Sequence, residues 1–205
     1  MDDHLQAGIA IYNAGEFHAA HDAWEDVWLD LDAGSDDERL LHGLIQFTAA
    51  VHHATRQNWE GVAGLVESAG EYLAELPADY RGVNVGPVCD YLTTLARDPT
   101  AIDLDAPLAL TYEGRELHVH HLDFPAAAIA ALVLAEEHDY DEAVVAQAVA
   151  YARDDLAANN QTSQFITFVM DFASDPAHRA IVFQRLSQHV ERRKSKERDV
   201  EGLFD

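Results

Sequence analysis

His18, His21 and Glu25 lie three and four residues apart, so on a helix they share one side. His21 also falls inside the apolar series Phe17, His21, Trp24, Trp28 and Leu31. An ionisable ring in such a stripe is unfavourable unless a partner accompanies it, and Glu25, one turn on, is the local candidate. A second stretch, Leu40 to Val51, is apolar on nearly all sides yet carries His42 and Gln46, with His52 and His53 following directly. Gln46 and His53 are seven residues apart and project alike, whereas His52 leaves from the other flank with Thr48. If the two segments pack as antiparallel neighbours, His21 and Glu25 meet Gln46 and one of His52 and His53.

Imidazoles and carboxylates on facing bundle helices hold divalent metals or perform acid/base work. The competing reading is a satisfied buried hydrogen-bond network that fixes helix register. A site for another small ligand is the third. The metal-ligand candidates are His18, His21, Glu25, His52 and His53. The wider polar site adds Gln46, Asn58, Trp24 and Trp28. The spacing H-x-x-H-x-x-x-E is not an established ligand signature like H-E-x-x-H. His118-Val119-His120-His121-Leu122-Asp123 is similar in outline to a metal-hydrolase histidine motif, but its aspartate is misplaced. It reads instead as a solvent-facing or interface strand. Trp24, Trp28 and Trp59 read as core. Phosphate loop, nucleophile elbow and Cys-His pair are all missing from the sequence.

These residues sit in a helical pattern. Helices are expected over 5–14, 16–31 and 37–56, then from the cap Asn58 through Leu76, and from Gly86-Pro87 to Asp98-Pro99. Prolines then bracket a hairpin or arm, with Leu108–Tyr112 and Arg115–Val119 flanking Glu113-Gly114. Helices follow over 125–137, 140–158, 163–173 and 176–194, the last started by Asp175-Pro176. The expected architecture is all-α: a helical bundle over 1–98, an extended arm over 99–124, a C-terminal helical layer over 125–194 and a charged tail over 195–205.

The surface chemistry is set by charge. Among 205 residues, 37 are acidic and 13 basic, for a net charge of −24, and the only lysines are Lys194 and Lys196. Such like charge repels itself in dilute buffer and is screened in molar salt, where the Debye length falls to roughly 3 Å. The acids run along the whole chain, which favours adaptation to salt over an acidic face for one basic partner. Nucleic acid is excluded as a partner, because its affinity comes from cations neutralising phosphates. The one basic run, Arg192 to Lys196, is interleaved with acids. The longest apolar run, Ala126 to Ala135, is about half the ~20 residues a membrane span needs. A cytoplasmic protein is expected, without membrane contact. A single cysteine, Cys89, excludes an internal disulfide.

Three blocks carry a family resemblance. Glu16 to Trp28 resembles the F-x-x-H-E-x-W-E-x-x-W opening of the domain of unknown function 309 family. Leu41 to His53 is similar to its Q-G-L-I-Q-x-A-x-x-x-H helix, and Asn58 to Val62 to its G-N-x-x-G-A turn. The blocks occur in order over about residues 12–76. The resemblance implies a small all-helical prokaryotic fold, here a haloarchaeal-type member, and supplies no activity. It places the family's polar positions on His21, Glu25, Gln46, His52 and Asn58. The sequence departs at Asp22, where the family often has Glu, and at His42, where it often has Gln.

Two functions follow as expectations. One is a bundle binding a small ligand or divalent metal, hydrolytic in the extended form of the idea. The other is a non-enzymatic scaffold or homo-oligomer whose polar cluster is structural. Composition alone makes one prediction: the thermal midpoint rises between low and molar salt. A melting temperature that stays flat across that range contradicts the reading of the charge as salt adaptation.

Overall fold

A computed structural model describes residues 1–201. The fold is all-α, with nine α-helices and one two-stranded hairpin among the described residues. The chain divides into two compact units, Met1–Leu122 and Asp123–Asp205.

The first unit begins with α1 (Asp2–Asn13), α2 (Phe17–Trp28), α3 (Asp36–Thr55), α4 (Trp59–Leu73) and α5 (Val85–Arg97). α1 starts three residues before the expected position, with Asp2 and Asp3 in its first turn, where carboxylates favour the positive helix end. α2 stops at Trp28 instead of continuing to residue 31, and Leu29 is left exposed. Ser35 caps α3 by accepting the Glu38 backbone N–H at 3.2 Å, and Asn58 caps α4 through Gly61 N–H at 3.2 Å.

Two glycines let these helices come close. A Cβ on Gly8 would lie 2.1 Å from the Trp24 indole nitrogen, and one on Gly43 would lie 2.5 Å from Leu73. Consequently α1 presses on Trp24 of α2, and α3 on α4. Trp24 is completely buried and its indole N–H reaches the Leu5 carbonyl at 3.3 Å. Ring contacts pair the start of α2 with the end of α3, at His18 and His52, and the end of α2 with the start of α3, at Trp28 and His42. The two helices are therefore antiparallel.

The arm folds back onto its own unit. Its strands, β1 (Thr111–Tyr112) and β2 (Arg115–Glu116), are shorter than expected and pair antiparallel. Glu113 and Gly114 both have positive φ, 51° and 73°, as a two-residue type I′ turn requires. Asn13 donates to the Leu110 and Leu117 carbonyls at 2.8 and 2.9 Å and accepts from Leu110 N–H. Asn84 makes the equivalent pair with Ala109 and Thr111. These side chains supply the hydrogen bonds that two-residue strands cannot. Val119–His121 forms a 3-10 turn, correcting the expected strand through Val119 and the strand reading of the histidine run.

The second unit contains α6 (Phe124–Glu137), α7 (Glu142–Ala157), α8 (Gln164–Ser174) and α9 (Arg179–Glu201). α7 is capped by Asp141, and Asp139 takes positive φ in the preceding turn. α9 does not begin at Asp175-Pro176. There the Asp175 carboxylate accepts the His178 backbone N–H at 3.2 Å, closing a turn before the helix. α9 then runs past residue 194, so 195–201 is helix and not tail. Arg193 fastens it, lying 4.2 Å from the Tyr151 ring centre and 2.8 Å from the Asp155 carboxylate. None of the described helices is long and apolar enough to cross a membrane.

The glycine contacts are testable as a pair. Gly8→Ala forces the α1–α2 contact apart and lowers stability by about 1–3 kcal/mol. Gly64→Ala, whose Cβ meets nothing, raises it by about 0.5–1 kcal/mol. Urea melts of the two variants check the opposite signs.

Candidate functional site

Burying Trp24 fixes the rotation of α2. At 100° per residue, His21 then leaves the helix about 60° from Trp24, Glu25 about 100° and His18 about 120°. These residues consequently occupy the flank where α2 meets α3. A cavity of about 200 Å3 opens there, lined by Phe17, His18, His21, Ala49, His52 and His53. Both candidate histidines of α3 reach it.

The partner of His21 differs from expectation. Its Nδ1 lies 2.9 Å from Asp22 Oδ1 and 3.9 Å from Glu25 Oε2, so Asp22 is the direct partner and Glu25 the second. The other Asp22 oxygen lies 3.4 Å from His18 Nδ1. Adjacent helical residues do not normally face each other, which hides the Asp22 contact from any rule based on spacings of three and four. The hydrogen bond to Asp22 raises the His21 pKa above its ordinary value. Partial burial opposes this, and the charges of Asp22 and Glu25 add to it. His21, Asp22 and Glu25 each bring one ligand atom within 4.8 Å of the others. Tetrahedral coordination at roughly 2.0–2.2 Å places ligand atoms about 3.3–3.6 Å apart, which the 2.9 and 3.9 Å separations bracket.

Other expected site residues stand apart. Gln46 lies one turn before Ala49 on the same side of α3 and is not among the residues lining the cavity. Asn58 caps α4 and donates to His53 Nδ1 at 2.8 Å, so its role is to hold His53 and the α3–α4 turn. Trp24 is core. Trp28 joins a different cluster, centred on Glu38, a residue for which the sequence offered only its place three after Ser35. Trp28 donates its indole N–H to Glu38 Oε1 at 3.0 Å, and His42 Nδ1 lies 3.1 Å from the same oxygen. The His42 ring is held between Trp28 at 4.6 Å and Tyr72 at 3.8 Å. Burial pushes the Glu38 carboxyl upward. Hydrogen bonds from Trp28, His42 and the Gly34 backbone outweigh it, and the net direction is down. Asp37 beside it is also lowered, chiefly by its hydrogen bonds from Arg81, with Tyr80 assisting.

Residues 5–65 match the family model described as Domain of unknown function (DUF309). This is the family that the three sequence blocks resemble, and the matched segment contains α2, α3 and the whole histidine-lined cavity. An uncharacterized protein of Aquifex aeolicus (strain VF5) is 32% identical over 81 residues. That alignment covers 40% of this chain and 24% of the relative, so the chain spans about a quarter of the length of the curated protein it matches.

The carboxylate cluster sets an acid limit. Asp37 and Glu38 are both held below their ordinary values, so their contribution is present above the unfolded values of about 3.9 for Asp and 4.3 for Glu. It is lost as pH falls through the lower folded values. Glu38→Gln is expected to reduce stability at pH 7 by about 1–3 kcal/mol. It should also flatten the decline between pH 5 and pH 3, leaving the Asp37 share. Urea melts followed by tryptophan fluorescence measure this, and a slope equal to the parent's contradicts it.

Proposed function

We propose that residues 1–122 form a helical bundle that binds a divalent transition metal at His21, Asp22 and Glu25 and admits a small ligand through the histidine-lined cavity. The convergence of those three ligand atoms, with His21 lining an open cavity, carries this reading. One imidazole and two carboxylates suit zinc or manganese. An ion with three protein ligands keeps an open position for water or ligand. The cavity, about 200 Å3, holds a few water-sized groups and limits the ligand to a small molecule. Hydrolysis is the reaction class such a centre serves, with His18 and His52 placed at the same cavity for proton transfer.

A second reading is a non-enzymatic scaffold or homo-oligomer, and the Trp28–Glu38–His42–Tyr72 cluster favours it. That cluster is a closed polar network whose visible work is to hold α2, α3 and α4 together. In either case we read the acidic surface as adaptation to molar salt in a cytoplasmic protein of haloarchaeal type that does not bind nucleic acid.

Protein purified without chelator should carry one equivalent of zinc or manganese that His21→Ala and Glu25→Ala each release. Adding the ion to metal-free protein should raise the melting temperature. Metal analysis and differential scanning calorimetry measure both. Unchanged melting of the metal-free protein with zinc, manganese and nickel contradicts the metal centre.

A further inference from the structure

Away from that cavity, His118, His120 and His121 gather on the 3-10 turn Val119–His121. Their ring centres are 4.1 Å apart for His120 and His121, 5.5 Å for His118 and His121, and 5.6 Å for His118 and His120. A metal–nitrogen bond of roughly 2.0–2.1 Å puts each ligand ring centre about 3.2 Å from the ion, so two imidazoles on one ion have centres about 4.5–5.2 Å apart. The observed separations bracket that range. The turn is anchored at both ends: Asn13 holds the Leu117 carbonyl at 2.9 Å, and Leu122 is buried. His121 also borders a cavity of about 480 Å3 whose wall includes Gln6, Tyr112, Arg115 and Glu116.

We propose that His118, His120 and His121 form a second binding site on this turn, for a borderline divalent cation of the nickel, copper or zinc class. Three imidazoles select these ions over magnesium and calcium, which need oxygen ligands. The turn uses some of these nitrogens locally. The His118 backbone N–H donates to His121 Nδ1 at 3.2 Å, and His118 Nε2 lies 3.4 Å from Glu116 Oε1. These are solvent-exposed contacts of small net value. Rotation of the exposed rings exchanges them for coordination bonds, and the Glu116 carboxylate remains close enough to support a ligating imidazole.

Nickel titration of the full chain by isothermal calorimetry tests this site separately from the His21 centre. The variant H118A/H120A/H121A should lose one binding event while melting like the parent. The single variant H120Q should weaken that event at least tenfold, and H21A/E25A should retain it. If the parent shows a single event that the triple variant abolishes, the turn site stands and the His21 centre falls. Equal numbers and affinities of nickel events in parent and triple variant, or no event in the parent, overturn the proposal.

Discussion

The orientation of the polar groups along α2 depends on the contact between Gly8 and Trp24. A missing side chain on α1 admits Trp24, one of the two tryptophans of α2, which is buried completely. Helical geometry does the rest. With Trp24 turned inward, His21, Glu25 and His18 can only emerge along the flank facing α3, and Trp28 can only emerge beside Glu38. The apolar contact thus positions chemistry it does not touch. Several kilocalories of aromatic burial hold a few partly exposed ionisable groups in place.

The same rotation separates two clusters with different characters. Around Glu38, both carboxylate oxygens have protein partners, and His42 is held between aromatic rings. Such a site is closed, and its carboxylate is lowered because donors surround it. Around His21, one imidazole faces two carboxylates, and the cavity beyond is open to a ligand. The first arrangement resists change, and the second is the one we propose exchanges a proton for a cation. Their proximity along α2 explains how one short helix serves both stability and a candidate site.

Much of this was legible in the sequence because it is local. Apolar periodicity marked the helices, and Asn58 announced the cap of α4. Glu113-Gly114 marked the turn of the hairpin. Antiparallel packing of α2 on α3 was expected to bring His21 and Glu25 to Gln46 and one of His52 and His53; the cavity between these helices is lined by His18, His21 and both of those histidines, and not by Gln46 or Glu25. What was hidden depends on tertiary detail. Asp22 reaches its own neighbour His21 because both side chains bend into the same flank. Glu38 pairs with Trp28 across the interhelix loop, a contact no periodicity encodes. Asp175-Pro176 has the form of a helix start, yet its carboxylate closes a turn and α9 begins three residues later. The arm is held by Asn13 and Asn84, which lie far from it in sequence.

Anomalous diffraction from a crystal equilibrated with zinc addresses the central claim most directly. The account predicts a zinc peak about 2.0–2.2 Å from His21, Asp22 and Glu25 at the wall of the histidine-lined cavity. Density that leaves His21 bonded to Asp22 with no zinc between them, at a zinc concentration that saturates other sites, contradicts it.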